Sequence, residues 1–474
     1  MKSLQYIKWT GLFFLSVLIS VGCKKLVEVG TPSNSLVSSD VFSNDNTAIA
    51  AQLGVYTHMQ NYSMPYSLSE ATGLSADELI TYSTDQTLNN LYKNHLSAGI
   101  DGGVKGYWQF AYYIIYQENA IIENVQRSTA LSDSVKRFTL GEAKLVRSWW
   151  YFELVNLFGN VPYVTSTDYT ANATLATMPK DQVYQHIIQD LQEAKNQLSV
   201  SFRNAADAPG TAERARPTVW AADALLARIY LYNTKYDSAE QQASLVIGNS
   251  LFSLVSELND VFKMNSTEAI WQLEPSVNAT VAPEGQDFII TTPPSASGFA
   301  HDALIAPLLN AFEPNDMRKA KWIGSYTQDT STWYFPFKYK YGYGYTGTLQ
   351  EYSMVIRLAE LYLIRAEARA QLGETNAADD LNAIRHRANL PDYAGPANKD
   401  PLLAAIMHER QVELFTEGHR WFDLKRTKTI DTVMGGPSGA CVAKTTTWQS
   451  YQQLYPINPN DILLDPNISQ TPGY

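Results

Sequence analysis

The sequence predicts an all-α protein whose helices pair into hairpins, with a long loop-rich region inserted between two of the pairs. Apolar residues recur at spacings of three and four along several segments, which is the period of an amphipathic helix. Two segments also share the spacing of a helical hairpin, and one stretch, 265–350, shows little helical period. With 474 residues and 45% hydrophobic content, the chain can bury a large core, and two packed units are expected.

The N-terminus predicts a lipoprotein signal peptide over residues 1–22. Lys2 and Lys8 precede an apolar run, 11–21, that is shorter than the roughly 18 to 20 residues needed to span a bilayer. Such a run is typical of a secretory signal. The order Ser-Val-Gly before Cys23 matches a lipobox, so we expect a lipid on the Cys23 thiol. An ordinary cleaved signal followed by an incidental cysteine is the alternative.

The segment after the signal, residues 23–40, holds Gly, Pro and Ser and predicts a tether between the lipid and the folded body. Acylation of Cys23 would leave Cys441 as the other cysteine, so no internal disulfide is expected. The formal net charge of −11 becomes −13 when Lys2 and Lys8 leave with the signal. An acidic chain without a basic tract is a poor partner for nucleic acid or for an anionic lipid surface.

The helical body is predicted from apolar residues three and four positions apart. A strong helical pattern covers about 134–158, with Gly159 as its predicted C-cap. Residues 62–103 instead hold many turn formers and are predicted to form loops. The other helices in the first half begin near Thr47, Trp108, Pro179 and Pro217.

Two pairs of alanines predict helical hairpins of similar shape. Ala227 and Ala239 lie twelve residues apart around a Thr-Lys turn, and Ala366 and Ala378 repeat that spacing around Gly373. Small residues at such points let two antiparallel helices approach closely, as in tetratricopeptide-type hairpins that stack on one another. A chance similarity in a helix-rich chain is the alternative.

Charged residues recur at helical offsets in the segment HERQVELFTEGHRWFDLKRT. Exposed pairs of this kind stabilise a helix by only about a few tenths of a kcal/mol. A buried arginine–carboxylate network that fixes how hairpins dock is the sharper alternative. Both are structural, and both are preferred over catalysis because no nucleophile–base arrangement is present. The residues are Glu409, Arg410, Glu413, Glu417, Arg420 and Asp423.

No catalytic, cofactor or metal motif is predicted. Gly342-x-Gly344-x-x-Gly347 matches a dinucleotide fingerprint as a string, but no strand or βαβ unit surrounds it, so a turn or hairpin is expected. The seven histidines show no metal-ligand spacing. The pairs at 259–260 and 315–316 are weak calcium candidates, and we expect solvated surface there.

Five ordered segments and the C-terminal ending resemble the SusD/RagB family of outer-membrane nutrient-binding lipoproteins from the Bacteroidetes. The likeness covers nearly the whole chain after the signal, and its strength lies in the order of the segments. They are YWQFAYYIIYQENAIIENV (107–125), GEAKLVRSWWYFELVNLFGNVPYV (141–164), RPTVWAADALLARIYLY (216–232), RLAELYLIRAEARAQLG with DLNAIRHRA (357–388), HERQVELFTEGHRWFDLKR (408–426) and LYPINPNDILLDPNISQTPGY (454–474).

The resemblance implies an α-helical fold with four tetratricopeptide-like hairpins and a loop-rich ligand face. It also implies a lipid-anchored protein at the cell surface, which covers a TonB-dependent SusC-like transporter in the outer membrane. Such proteins capture glycans or peptides and are not enzymes. Lys24 and Lys25 follow the cysteine where family members often carry an acidic residue, and Glu28 is the first acid.

On this interpretation one SusD-like domain covers 41–474. Its helical scaffold spans 41–264 and 351–427, the loop-rich region spans 265–350, and an extended segment spans 428–474. Long loops on rigid scaffolds often carry function.

The ligand residues are predicted from chemistry, because the family's ligand residues lie in variable loops and no motif carries them over. Sugars stack their C–H faces on aromatic rings and hydrogen-bond planar polar groups. We therefore predict a glycan, or a peptide, as the ligand. A hydrolase with a carboxylate pair and a helical scaffold lipoprotein without a ligand are the alternatives. The predicted ligand-binding residues are the loop aromatics Tyr82, Trp322, Tyr326, Trp333 and Tyr334, with Trp108 as a weaker sixth.

Overall fold

The computed structural model describes residues 39–62, 64–102, 104, 106–276, 278–294 and 300–474. The predicted signal peptide, Cys23 and nearly all of the predicted tether lie outside the described residues. Within the described part of the chain, no helix combines the length and the apolar character needed to cross a membrane. The N-terminal predictions therefore remain predictions.

Helices dominate the fold, at 54% of the structure, and the all-α prediction is confirmed. The first half of the chain holds α1 (Asp45–Asn61), α2 (Met64–Ser75), α3 (Gln86–Lys93), α4 (Ala98–Asp101), α5 (Tyr107–Arg127), α6 (Asp133–Phe158), α7 (Tyr169–Asn172), α8 (Lys180–Gln197), α9 (Val219–Tyr232) and α10 (Tyr236–Ile247). The second half holds α11 (Pro283–Phe288), α12 (Ala306–Ala311), α13 (Met317–Trp322), α14 (Leu358–Leu372), α15 (Ala377–Arg387), α16 (Lys399–Glu413), α17 (Arg420–Arg426), α18 (Ile430–Gly435), α19 (Ala440–Ala443) and α20 (Pro459–Leu464).

The strands are short and pair antiparallel, two by two, in the part of the chain that is described. β1 pairs with β5, β2 with β3, β4 with β8, and β6 with β7. Their bounds are β1 (Leu79–Thr81), β2 (Val161–Pro162), β3 (Thr177–Met178), β4 (Ala269–Leu273), β5 (Asp302–Leu304), β6 (Ile323–Gln328), β7 (Ser331–Pro336) and β8 (Ser353–Arg357).

The long helices stack in chain order into one scaffold. α5 packs on α6, α6 on α8, α8 on α9, α9 on α10, α10 on α14, and α14 on α15 and α16. α6 matches its prediction: Ser132 caps its first turn, and Gly159 ends it at a φ of 85°. The two predicted hairpins are α9–α10 and α14–α15, and they meet through α10 and α14.

The alanines lie at close helix contacts, with one offset. Ala227, Ala239 and Ala366 are fully buried. Ala378 is only partly buried, and its neighbour Ala377 occupies the fully buried position of α15. The hairpin prediction is confirmed, and the second alanine pair is displaced by one residue.

Two predictions about loops are wrong in part. Residues 62–103 contain α2, α3, α4 and β1. α2 is buried on nearly every side, so its sequence shows no polar face from which a helical period can be recognised. The described residues of the region 265–350 form four strands, β4 to β7, and three short helices besides loops. The glycine motif does form a turn, in which the Tyr345 N–H donates to the carbonyl of Gly342.

The charged segment forms the predicted buried network. Arg410 donates to Asp423 at 2.8 Å, and Arg318 contacts Glu409 at 2.7 Å, with all four side chains buried. These pairs join α13, α16 and α17. The prediction of a buried arginine–carboxylate network, as opposed to exposed pairs along one helix, is therefore confirmed. The expectation of a solvated surface at 315–316 is wrong for Asp316, which is buried against Arg318 at 2.8 Å.

Candidate ligand-binding cleft

A cleft of about 500 Å³ opens between the first helices and the inserted region. The C-terminal end of α1 and the first turns of α2 form one wall, and the start of α5 forms another. The loop before β5 and the last turn of α11 close the side that belongs to the inserted region. The lining residues are Asn61, Tyr62, Tyr66, Ser67, Leu68, Glu70, Ala71, Val104, Tyr107, Leu157, Asp287, His301 and Tyr455.

Aromatic rings build the wall on the side of α1 and α2. The ring of Tyr62 stacks on Phe110 with centroids 4.0 Å apart and planes 8° from parallel. Tyr66 packs edge-on against Phe288 of α11, with centroids 4.9 Å apart. These contacts fix both tyrosines in place, and Tyr62 keeps part of its surface exposed. A fixed, partly exposed ring is suited to stacking against a flat ligand.

The floor of the cleft is polar. Tyr66 donates its hydroxyl to Glu70 at 3.0 Å, and the Nε2 atom of His301 lies 3.2 Å from the same carboxyl oxygen. Burial raises the pKa of Asp287 to about 6. Burial also raises the pKa of Asp302, behind the floor, to about 8, and the neighbouring Glu70 adds to that rise. The cleft thus offers carboxyl, imidazole and phenol groups to the hydroxyls of a ligand.

An aromatic hairpin, β6–β7, lies beside the cleft. Tyr326 and Trp333 face each other across the two strands, with ring centroids 6.2 Å apart and planes 29° from parallel. Trp333 packs on an apolar cluster that includes Ile289, which directly follows α11. Because side chains alternate along a strand, Tyr334 faces the opposite side, where 43% of it is exposed.

Tyr82 lies next to the cleft residue His301. Its backbone N–H donates to the carbonyl of His301 at 2.7 Å, which extends the β1–β5 pairing by one residue. The side chain of Tyr82 is 39% exposed. Tyr82, Tyr326 and Trp333 thus lie on the side of the cleft, and Tyr334 lies at the surface on the opposite face of the hairpin.

Two of the six predicted ligand residues are core residues, so those predictions are wrong. Trp322 is 0% exposed, and its indole N–H donates to the carbonyl of Leu258 at 2.9 Å. The side chain of Lys338 covers its ring, with the ammonium nitrogen 4.9 Å from the ring centroid. Trp108 is 4% exposed and packs edge-on against Phe158.

The sequence did not identify the residues that line the cleft. Tyr62, Tyr66 and Glu70 lie in or beside a helix that was predicted as a loop, and Asp287 and His301 lie in the inserted region. Glu70 and His301 are 231 positions apart in the chain. No local spacing links them, so a single sequence carries no signal for this contact.

Comparison with known proteins places the chain in a family. Residues 263–474 match the family model described as SusD family, and residues 31–231 match the model described as starch-binding, associating with the outer membrane. SusD-like protein P2 from Formosa agariphila is 27% identical, over 90% of this chain and 92% of its own length. The chain belongs to the SusD/RagB family.

Solved structures show the same fold. A SusD superfamily protein from Bacteroides vulgatus superposes with a TM-score of 0.77 at 19% identity, covering 90% of this chain and 99% of its own. A structure described as a laminarin-binding SusD-like protein superposes with a TM-score of 0.71 at 24% identity, covering 90% of this chain and 99% of its own. These structures confirm the predicted tetratricopeptide-like helical fold, and the matches to the family models confirm the predicted family.

Proposed function

We propose that this protein is a lipid-anchored, surface-exposed glycan-binding protein of the outer membrane, which passes its ligand to a TonB-dependent SusC-like transporter. The observation that carries the proposal is the cleft of about 500 Å³, with tyrosines on its wall and polar groups on its floor. The family description as starch-binding and associated with the outer membrane supports it. The laminarin-binding structure of the same fold also supports a glycan as the ligand.

The chemistry of the cleft suits a sugar chain. The exposed face of Tyr62 can stack against the C–H face of one sugar ring, and Tyr82 and Trp333 offer further rings on the side of the hairpin. The carboxyl of Asp287 and the imidazole of His301 line the same space and can hydrogen-bond sugar hydroxyls. A peptide is the second candidate ligand, because the same groups accept backbone N–H donors.

We propose binding without catalysis. A glycosidase holds two carboxyl groups on either side of the bond that it cleaves, about 5 to 9.5 Å apart. Glu70 and Asp302 lie closer together, with a carboxylate oxygen of each within 4.8 Å. Asp302 is buried behind the floor, so a glycosidic bond has no room between the two groups.

Calorimetric titration with laminarin, starch and peptides tests the binding proposal. We expect saturable binding of at least one glycan, and about five- to tenfold weaker binding after Tyr62→Ala, since stacking on one aromatic ring contributes about 1 to 1.5 kcal/mol. Tyr169→Ala is the matched control, because Tyr169 is 83% exposed and does not line the cleft. Unchanged affinity in Tyr62→Ala places the ligand elsewhere, and absence of any binding favours a scaffold protein.

Separate experiments test catalysis, anchoring and delivery. Product analysis after incubation with the same glycans should find intact chains, and shortened chains favour a hydrolase. Mass spectrometry should find an acylated mature N-terminus at Cys23, and Cys23→Ser should move the protein to the soluble fraction. Cross-linking in intact outer membranes should recover a TonB-dependent transporter, and its absence from the cross-linked products contradicts the delivery step.

A further inference from the structure

Three potential metal ligands meet at the floor of the cleft. They are Glu70 of α2, His301 in the loop before β5, and Asp302 at the start of β5. Each offers one ligand atom, and the three atoms lie within 4.8 Å of one another. The Nε2 atom of His301 is 3.2 Å from the carboxyl of Glu70 and 3.9 Å from the carboxyl of Asp302.

The surroundings of the Asp302 carboxyl support a bound ion independently of the distances within the cluster. Its side chain is 0% exposed, and neither of its carboxyl oxygens accepts a hydrogen bond of ordinary geometry within the described part of the chain, although the Thr81 hydroxyl lies nearby. A buried carboxylate that lacks both an ordinary hydrogen bond and an arginine or lysine partner is costly, and proteins commonly resolve that cost with a cation or a proton. Its carboxyl also lies within reach of Glu70 and His301, where one ion could bind all three groups.

The distances fit a small divalent ion. Zinc binds imidazole nitrogen and carboxylate oxygen at about 2.0 to 2.2 Å in a tetrahedron, which separates neighbouring ligand atoms by about 3.4 Å. The observed separations of 3.2 and 3.9 Å bracket that value. Calcium prefers six to eight oxygen ligands and does not select imidazole.

A second cluster of three potential metal ligands differs from this one, because its carboxylates are already paired. Glu313, His408 and Glu409 also bring three ligand atoms together, but both carboxylates there already pair with arginine. The Nε2 atom of His408 is hydrogen-bonded to a backbone carbonyl at 2.7 Å. That cluster is satisfied by protein groups, whereas the Asp302 carboxyl has no arginine or lysine partner within the described residues.

We propose that Glu70, His301 and Asp302 form a zinc site at the floor of the cleft. Glu70 and His301 line the cleft, and Asp302 lies behind them, so the fourth position of the ion faces the cleft. That position holds water or, if the proposed function is correct, an oxygen of the bound glycan. The metal site itself does not depend on glycan binding, so the two proposals can fail separately.

Calorimetric titration of the chelator-treated full-length protein with zinc chloride tests the site. We expect one ion per chain, and at least tenfold weaker binding in both His301→Gln and Asp302→Asn. His408→Gln is the matched control and should bind zinc as the unmodified protein does. Cobalt substitution should give the visible absorption of a tetrahedral site, and that absorption should disappear in Asp302→Asn.

Two outcomes overturn the proposal. One is the absence of saturable zinc binding by the unmodified protein, and the other is zinc binding that survives in both ligand variants. If the two carboxyl groups only share a proton, zinc does not bind and Asp302→Asn raises the melting temperature. Circular dichroism on each variant shows whether it is folded, and His301→Gln tests the site independently if Asp302→Asn does not fold.

Discussion

Replacement of Arg228 by Met should destabilise the scaffold strongly, because it removes a buried ion pair that joins the two predicted hairpins. Arg228 lies on α9 and Glu360 on α14. The guanidinium donates to both carboxylate oxygens at 2.6 Å, and both side chains are buried. Loss of the guanidinium leaves a carboxylate inside the protein without its main partner.

The expected cost follows from the pKa of Glu360. Burial by itself would raise that pKa, but Arg228, with help from His419, lowers it from 4.5 to about 2. A change of this size corresponds to about 3 kcal/mol in favour of the ionised form, at about 1.4 kcal/mol for each pH unit. Removal of one partner from a buried ion pair typically costs about 3 to 5 kcal/mol. We therefore expect Arg228→Met to lower the free energy of unfolding by at least about 3 kcal/mol at pH 7.

Urea unfolding followed by circular dichroism measures this difference. The double variant with Glu360→Met should recover most of the loss, because the uncompensated charge is then gone. Arg127→Met is the matched control: Arg127 is mostly exposed and pairs with Glu123 one helical turn away, so its loss should cost less than about 0.5 kcal/mol. A cost below about 1 kcal/mol for Arg228→Met, or a double variant no more stable than the single one, refutes the reasoning.

Two further predictions concern pH and backbone conformation. Burial lowers the pKa of His419 from 6.5 to about 4, so its contribution to stability is complete above pH 6.5 and is lost as the pH falls through 4. In urea unfolding, the stability difference between the unmodified protein and His419→Gln should shift by about 3 kcal/mol between pH 7 and pH 4, and a constant difference contradicts this assignment. Gly373→Ala should destabilise by about 1 to 2 kcal/mol in the same assay, since Gly373 has a φ of 77° in open space; an unchanged midpoint contradicts the strain.

The parts of the fold that the sequence predicted are those encoded locally. These local signals come from residues within a few turns of one helix or hairpin. They are the helical period of α6, its Gly159 cap and the alanine spacing around Gly373. The charged offsets in 408–426 also indicated a network, although its partners on other helices were not predictable.

The cleft was not predictable, because its residues meet only in three dimensions. Trp322 shows the limit: it lies in a segment without helical period, yet Lys338 and Arg357 from other elements cover its ring. Exposure of an aromatic ring depends on what packs over it, and a single sequence does not contain that information. The loop prediction for the segment that forms α2 was wrong for a related reason. Because α2 is buried on nearly all sides, its sequence lacks the contrast between a polar and an apolar face that indicates a helix.

The wide separation of the cleft residues along the chain affects how the protein acquires its binding ability. Ser75, at the end of α2, is hydrogen-bonded through its hydroxyl to Tyr455 at 2.7 Å, across 380 positions, and Tyr455 lines the cleft. Such a contact requires distant parts of the chain to come together, and this loop closure costs conformational entropy. A partly folded chain therefore lacks a finished cleft, and the ability to bind becomes a marker of a completely folded molecule.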